Sequence, residues 1–239
     1  GLVTYTMAAV RRPLADMSEF VYLATGSTGT PASDAYTDAI EFSEKVTGLY
    51  RNIMSTNQAD QIAFRDSIVR LNSPEGSNEA LGGCGANTSD TLAVRKANAQ
   101  LLASEFVVYG LSKFNNYDLN GVSKLYGGAM LAVLHNAIKA SGSPHRTPTW
   151  KALNILSQAE VLTNTERAGV IQAGALVIAE VKKNNATPLV IERAVTTYQY
   201  SNIVYNESNS VATGLTMVKE LREMFNANFI GEVPVDASA

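Results

Sequence analysis

Cysteine occurs once in this chain, as Cys84, and histidine twice, as His135 and His145. One cysteine excludes an intrachain disulfide and any cysteine-based zinc site. Two histidines could bind a metal only with carboxylates beside them, and neither stands in an HExxH spacing. Charge of one sign is also scarce. Nineteen basic residues face 22 acidic ones, both kinds scattered, for a net charge of −3. A nucleic-acid binder would carry a basic stripe, and a membrane-surface binder a polybasic cluster, so neither partner is expected. Long apolar runs are missing too. The stretch from Ala173 to Val181 is far short of the ~20 residues a membrane-spanning helix needs. The chain opens on Gly1-Leu2-Val3, with no charged leader and no Met, which predicts no signal peptide and a processed or excised piece.

What is present is an ordinary apolar fraction, 46% over 239 residues, enough for one large domain or two small ones. The stretches Thr4 to Val10 and Glu19 to Ala24 read as strands, and the Gly/Ser/Thr-rich segment from Thr25 to Tyr36 as a loop. Ser33 or Asp34 is predicted to cap a helix carrying Tyr36, Ile40 and Val46 on one side. A short strand is expected within Gly48 to Thr56. From Asn57 onward Ile62, Ile68, Val69 and Leu71 recur at helical spacing, up to the break from Asn72 to Asn78. Ala80 to Ala86 reads as a short buried strand. Asn87 to Ser89 then cap a helix through Ser104, with Leu92, Ala99 and Leu102 facing inward. Glu105 to Leu111 is the clearest strand. Ser123 to Ala140 reads as one helix, rich enough in Gly, Ala and Leu to be buried on several sides.

After a loop from Ser141 to Thr149, Thr163 or Thr165 caps a helix with Glu166 in its first turn, and Gly174 is placed to stop it. Leu176 to Thr197 predicts a hairpin that turns at Lys182 to Ala186. Its second arm alternates Val190, Glu192, Ala194 and Thr196 against Ile191, Arg193, Val195 and Thr197. Apolar residues fall on both faces, as in a strand covered on both sides or lying at a subunit contact. Gly214 to Phe229 is a last amphipathic helix, with Met217, Leu221, Met224 and Phe225 on one face. Alternating strands and helices predict an α/β fold. It should be a mixed or largely parallel sheet flanked by helices, with an added β-hairpin and room for a small second subdomain. The matching subdivision is residues 1–25 plus 155–239 around an α/β unit of 26–154.

Chemical motifs are thin. The loop Gly26 to Ser33 has no lysine for a phosphate-binding loop. Leu81 to Asn87 sits where a dinucleotide fingerprint would, but its glycines are spaced Gly-Gly-x-Gly and no suitable acidic residue follows, so a tight strand-to-helix turn is expected. Cys84 among glycines reads as a buried thiol rather than a nucleophile. His135 reads as a core or edge histidine, and His145, after Pro144, is unassigned. Carboxylate pairs such as Asp34/Asp38 and Glu41/Glu44 read as solvated helix surface. No catalytic, cofactor-binding or metal-binding residue is nominated, and no cofactor is expected.

Four stretches in order carry a resemblance: Val10 to Val46, Ser123 to Ile155, Leu162 to Thr197 and Arg222 to Glu232. The third is the most specific, with Leu162-Thr163, Glu166, a helix into Ala168-Gly169-Val170, and a hairpin closing on Arg193-Ala194-Val195-Thr196-Thr197. Together they resemble the contractile-tail sheath proteins of bacteriophages over most of the chain. The resemblance implies a virion structural protein, assembled in the host cytoplasm, with no enzymatic activity. It would polymerise with other sheath subunits around a tail tube and contract to drive the tube through the host envelope. Members of that family carry terminal arms that add strands to neighbouring subunits. This chain ends soon after Phe229-Ile230-Gly231 and starts without an arm, so it is expected to be a central fragment, monomeric in isolation. Two other readings remain: the sheath of a related injection or secretion machine, and a Rossmann-like enzyme or cofactor-binding domain on the same α/β layer.

Overall fold

The architecture is taken from a computed structural model that describes residues 35–182 and 186–228. The chain divides into two units, Gly1–Ser33 and Asp34–Ala239, and every described residue belongs to the second. The expected strands Thr4 to Val10 and Glu19 to Ala24, the loop before Ala35, the tip of the late hairpin and Phe229 to Gly231 lie outside the described residues.

In chain order the elements are α1 (Ala35–Glu44), β1 (Tyr50–Asn52), α2 (Gln58–Leu71), β2 (Leu81–Gly85), α3 (Leu92–Leu102) and β3 (Val107–Gly110). Next come β4 (Phe114–Tyr117), β5 (Ser123–Tyr126), α4 (Gly128–Ala140), β6 (Ser157–Gln158), α5 (Asn164–Gln172) and β7 (Ala175–Leu176). The late hairpin is β8 (Ile178–Glu180) with β9 (Leu189–Ile191), followed by α6 (Ile203–Asn206) and α7 (Ser208–Asn228). Strands β1, β2, β3 and β7 form a parallel sheet in that order, with Gly82 opposite Val107 and Tyr109 opposite Ala175. A three-stranded antiparallel sheet runs β5-β4-β6, and β8 pairs antiparallel with β9. The mixed α/β reading of the sequence is therefore realised.

Strand side chains alternate between two cores. Cys84, Tyr109 and Val107 face α2 and α3, where they meet Phe64, Ile68, Ala99 and Leu102. Leu81 and Val108 face the other way, toward Leu131 of α4, Ile191 of β9 and Leu215 of α7. Each fully buried leucine or isoleucine contributes roughly 1.5–3 kcal/mol of transfer free energy. Local signals fix the helix ends. Asn57 caps α2 by accepting from Ala59 N at 3.0 Å. Thr163 and Glu166 form a reciprocal capping box on α5, which selects Thr163 over Thr165. Gly174, at φ +78°, ends the segment beyond α5 in the left-handed region that glycine adopts without a side-chain clash.

Several sequence expectations are corrected. Ser123 to Tyr126 is strand β5, and the helix starts only at Gly128. Phe114 stacks on Tyr126 across the β4–β5 pair at 5.7 Å, a cross-strand contact that no local periodicity reveals. The cap of α3 is Thr91, while Asn87 forms a turn with the Ser89 amide. Val46 lies beyond α1 and is exposed, as is Val69, and the inward position on α2 that sequence spacing missed is Phe64. On α7 the core-facing residues are Val211, Ala212 and Leu215, whereas Met217, Leu221, Met224 and Phe225 are about half exposed. Helical spacing marks an apolar stripe but not which stripe the core takes, and this helix has two.

Candidate functional site

Chemistry in an open α/β sheet gathers where strands end, in the crevice beyond their carboxyl ends. In this chain that position is taken by α4. Its first turn lies directly on the backbone of β2 and β3. A β carbon added at Gly85 would fall 2.2 Å from Ala129 N, and one added at Gly110 would fall 2.0 Å from Gly128 O. Gly128 N donates to Ala86 O at 3.1 Å, and Ala86 N to Gly110 O at 2.9 Å. Gly85 of the Leu81–Gly85 strand, with Gly110 of β3, thus lets a helix come onto the sheet, while Gly82 makes room on the other face for Phe64 and Ile68 of α2. Gly82, Gly83 and Gly85 lie inside the strand, not in the strand-to-helix turn expected from the sequence, and the dinucleotide position is filled by protein.

Two of the titratable groups singled out from the sequence, Cys84 and His135, are in the interior. Cys84 is fully buried, and burial pushes its thiol well above the usual range, the opposite of an activated nucleophile. His135 is fully buried on α4. Its Nε2 meets Ser208 Oγ at 2.9 Å and its Nδ1 meets Asn136 Oδ1 at 3.0 Å. Asn136 in turn donates to Asn52 Oδ1 at 2.9 Å, so one polar chain joins β1, α4 and α7. Burial pushes the imidazole pKa down to about 4, partly offset by the Asn136 bond, so His135 is neutral at physiological pH. The core reading of His135 holds. Lys139, one turn further along α4, donates to Pro144 O, to Arg146 O at 3.0 Å and to Asn209 Oδ1 at 2.8 Å; burial lowers its pKa to about 8. His145 is exposed in the loop that follows.

A second polar cluster crosses the sheet ends. Arg95, 1% exposed, donates to Leu111 O at 3.1 Å and pairs with Glu160 at 2.5 Å. Lys113 donates to Thr88 O at 2.9 Å and lies 3.9 Å from the same carboxylate. Two cations thus share one carboxylate, and Arg95 Nε is buried without a hydrogen-bond partner. Among the described residues no group of three His, Cys, Asp or Glu side chains could hold a metal ion, and no helix is long and apolar enough to cross a membrane.

The stretch after β9 shows the same character. Val190, Ile191 and Ala194 to Thr197 are all buried, as the two-faced apolar pattern implied. Thr197 Oγ1 accepts from Ser104 N and donates to Ser104 O, both at 2.9 Å, while Thr197 N bonds Val107 O at 2.8 Å. Thr196 Oγ1 donates to Tyr205 O at 2.5 Å. These polar side chains join distant segments.

The large apolar side chains that the fold leaves at the surface include two local groups. The β4–β5 hairpin exposes Tyr117, Leu119, Val122 and Leu125, with Leu119 fully in solvent at its tip. Tyr200 and Tyr205 pack edge-on against Tyr198, at 5.1 and 5.7 Å, beside exposed Ile203 and Val204. Sequence reasoning missed the hairpin, although Asn120-Gly121, with Gly121 at φ +76°, is a turn signal in the right place.

No family profile and no curated protein sequence matches the chain. Solved structures do. A sheath tail protein from Desulfitobacterium hafniense aligns with TM-score 0.65 at 16% identity, over 86% of this chain and 45% of its own. A sheath tail protein from Listeria innocua aligns with TM-score 0.57 at 13% identity, over 85% and 45%. The helical sheath of the anti-feeding prophage in its contracted state aligns with TM-score 0.57 at 13% identity, over 82% and 53%. The chain spans about half the length of these structures, and over that span it has the fold of the contractile sheath tail proteins.

Proposed function

We propose that this chain is a structural subunit, or the core of one, of a contractile tail sheath. It packs with further copies into a helical sleeve around a tail tube and shifts to a shorter, wider arrangement when triggered. The supporting observation is the shared fold with sheath proteins of both phage-type tails and injection systems. In such a device the subunit is a stiff body, and free energy is released as one set of contacts between copies gives way to another. The interior fits that demand. The strand-end crevice is filled by Gly128 and Ala129, and the buried charges are spent on joining elements. Neither a nucleotide nor a metal has a part in this mechanism. The proposed setting is the virion tail, with assembly in the host cytoplasm, or the equivalent machine of an injection system.

Negative-stain electron microscopy of the protein as its gene encodes it tests the proposal. The expected result is hollow, cross-striated polymers of uniform width. Dispersed particles that never polymerise, together with a turnover activity lost on changing one interior polar residue, would overturn it in favour of an enzyme.

A further inference from the structure

Helix α7 is built as two different pieces. Its first turns are fastened to the body. Ser208 is fully buried, its amide bonds Ala194 O at 3.1 Å, and its hydroxyl meets His135. Asn209 accepts from Lys139, and Val211, Ala212 and Leu215 are buried. Beyond Leu215 the character changes, and none of residues 216–227 is buried. Clefts flank this second piece. One is lined by Leu49, Tyr50 and Gly142, the other by Thr47, Gly48 and Ser77, and both reach Lys219 and Glu223. Across the second cleft Arg222 pairs with Glu79, a carboxylate only 5% exposed.

The junction between the pieces has the composition of a bend. Gly214 sits in the helix interior although a β carbon there would meet nothing within 4 Å, so no close approach requires glycine. Glycine at such a position loosens a helix. On either side, Thr213 Oγ1 donates to Asn209 O and Thr216 Oγ1 to Ala212 O, both at 2.9 Å. Threonine back-bonding of this kind competes for helix carbonyls and bends helices.

We propose that the outer half of α7 is a hinged arm, pivoting at Thr213–Thr216 and latched to the body by Arg222 on Glu79. The inner half stays fixed by Ser208 and Asn209. Releasing Arg222 loosens the arm beside the flanking clefts, while the sheet and α4 keep their arrangement. The inference stands on this chain alone, independent of the sheath assignment.

Hydrogen exchange followed by mass spectrometry on the full chain tests it. In the unmodified protein the amides of residues 217–227 should exchange about tenfold faster than those of 209–213. Glu79→Gln should raise exchange at 217–227 by about a further tenfold and leave 209–213 within about twofold. Arg222→Gln, which alters the outer partner and leaves the buried carboxylate in place, should do the same. Gly214→Ala should slow the outer half and narrow the gap. Spin labels on Ala63→Cys and Glu220→Cys give a second readout, because the native Cys84 is fully buried. Glu79→Gln should broaden their distance distribution toward longer separations. If both halves of α7 exchange together in every variant, or the label distances are the same with and without the latch, the hinge does not exist.

Discussion

Gly128 of α4 and Gly110 of β3 lie backbone to backbone: a β carbon on Gly128 would come within 1.9 Å of Gly110 O, and one on Gly110 within 2.0 Å of Gly128 O. Neither backbone can move aside, because each is held by its own helix or sheet. Gly128→Ala should therefore destabilise the fold by about 3 kcal/mol, at the upper end for overpacking. Gly214→Ala, where there is room, should be neutral or stabilising. Denaturant midpoints of the two variants against the parent provide the check.

The buried imidazole makes stability depend on pH. The pKa of His135 is about 4 in the fold, against an unfolded value of 6.5. Between those values the unfolded chain binds a proton that the folded chain refuses. Stability is then full above pH 6.5 and falls as the pH drops toward 4, by up to about 3 kcal/mol, given 1.36 kcal/mol per pKa unit. Unfolding free energies from pH 7 to pH 4, compared with those of His135→Asn, isolate the effect. The variant should lose this part of the slope even if its absolute stability is lower.

The capping box on α5 is exposed, so its removal has a clean and modest consequence. Thr163→Ala removes the acceptor for Glu166 N and the donor to the Glu166 carboxylate. The expected loss is about 1 kcal/mol, read from thermal or denaturant unfolding.

Arg95 is only 1% exposed. Glu160→Ala leaves it with Leu111 O as its remaining acceptor. Breaking a buried pair costs about 3–5 kcal/mol, but Glu160 is one-third exposed, so about 2 kcal/mol is expected. Replacing both residues, as in Arg95→Met with Glu160→Ala, should recover much of that loss.

What the sequence disclosed was decided by local chemistry. The α5 cap was legible because Thr163 and Glu166 stand three apart before an apolar run. The strand around Cys84 was legible because it is short, apolar and bounded by turn residues. The hairpin of β4 and β5 was not, because Asn115, Asn116, Ser123 and Lys124 carry no strand-like alternation and the stabilising contact joins Phe114 to Tyr126 across the turn. Treating Ser123 as the start of a helix followed from the real helical pattern after Gly128. The role of the strand-end glycines was equally hidden, since Gly85 and Gly110 have a purpose only once α4 lies on them. On α7 the sequence reading began the helix at Gly214 and named only the Met217–Phe225 stripe; the stripe that meets the core starts at Val211 and Ala212, in turns not read as helix, and is selected by Leu131 and Ile191, residues far away in sequence.

Where the first turn of α4 is seated on bare backbone, no side chain stands between it and the sheet to absorb displacement. A load applied to α4 passes into the central strands without a compliant cushion. In the sheath role proposed above, stiffness along that one seam would keep the shape of this chain while its surroundings rearrange, and even a one-carbon substitution there would loosen it.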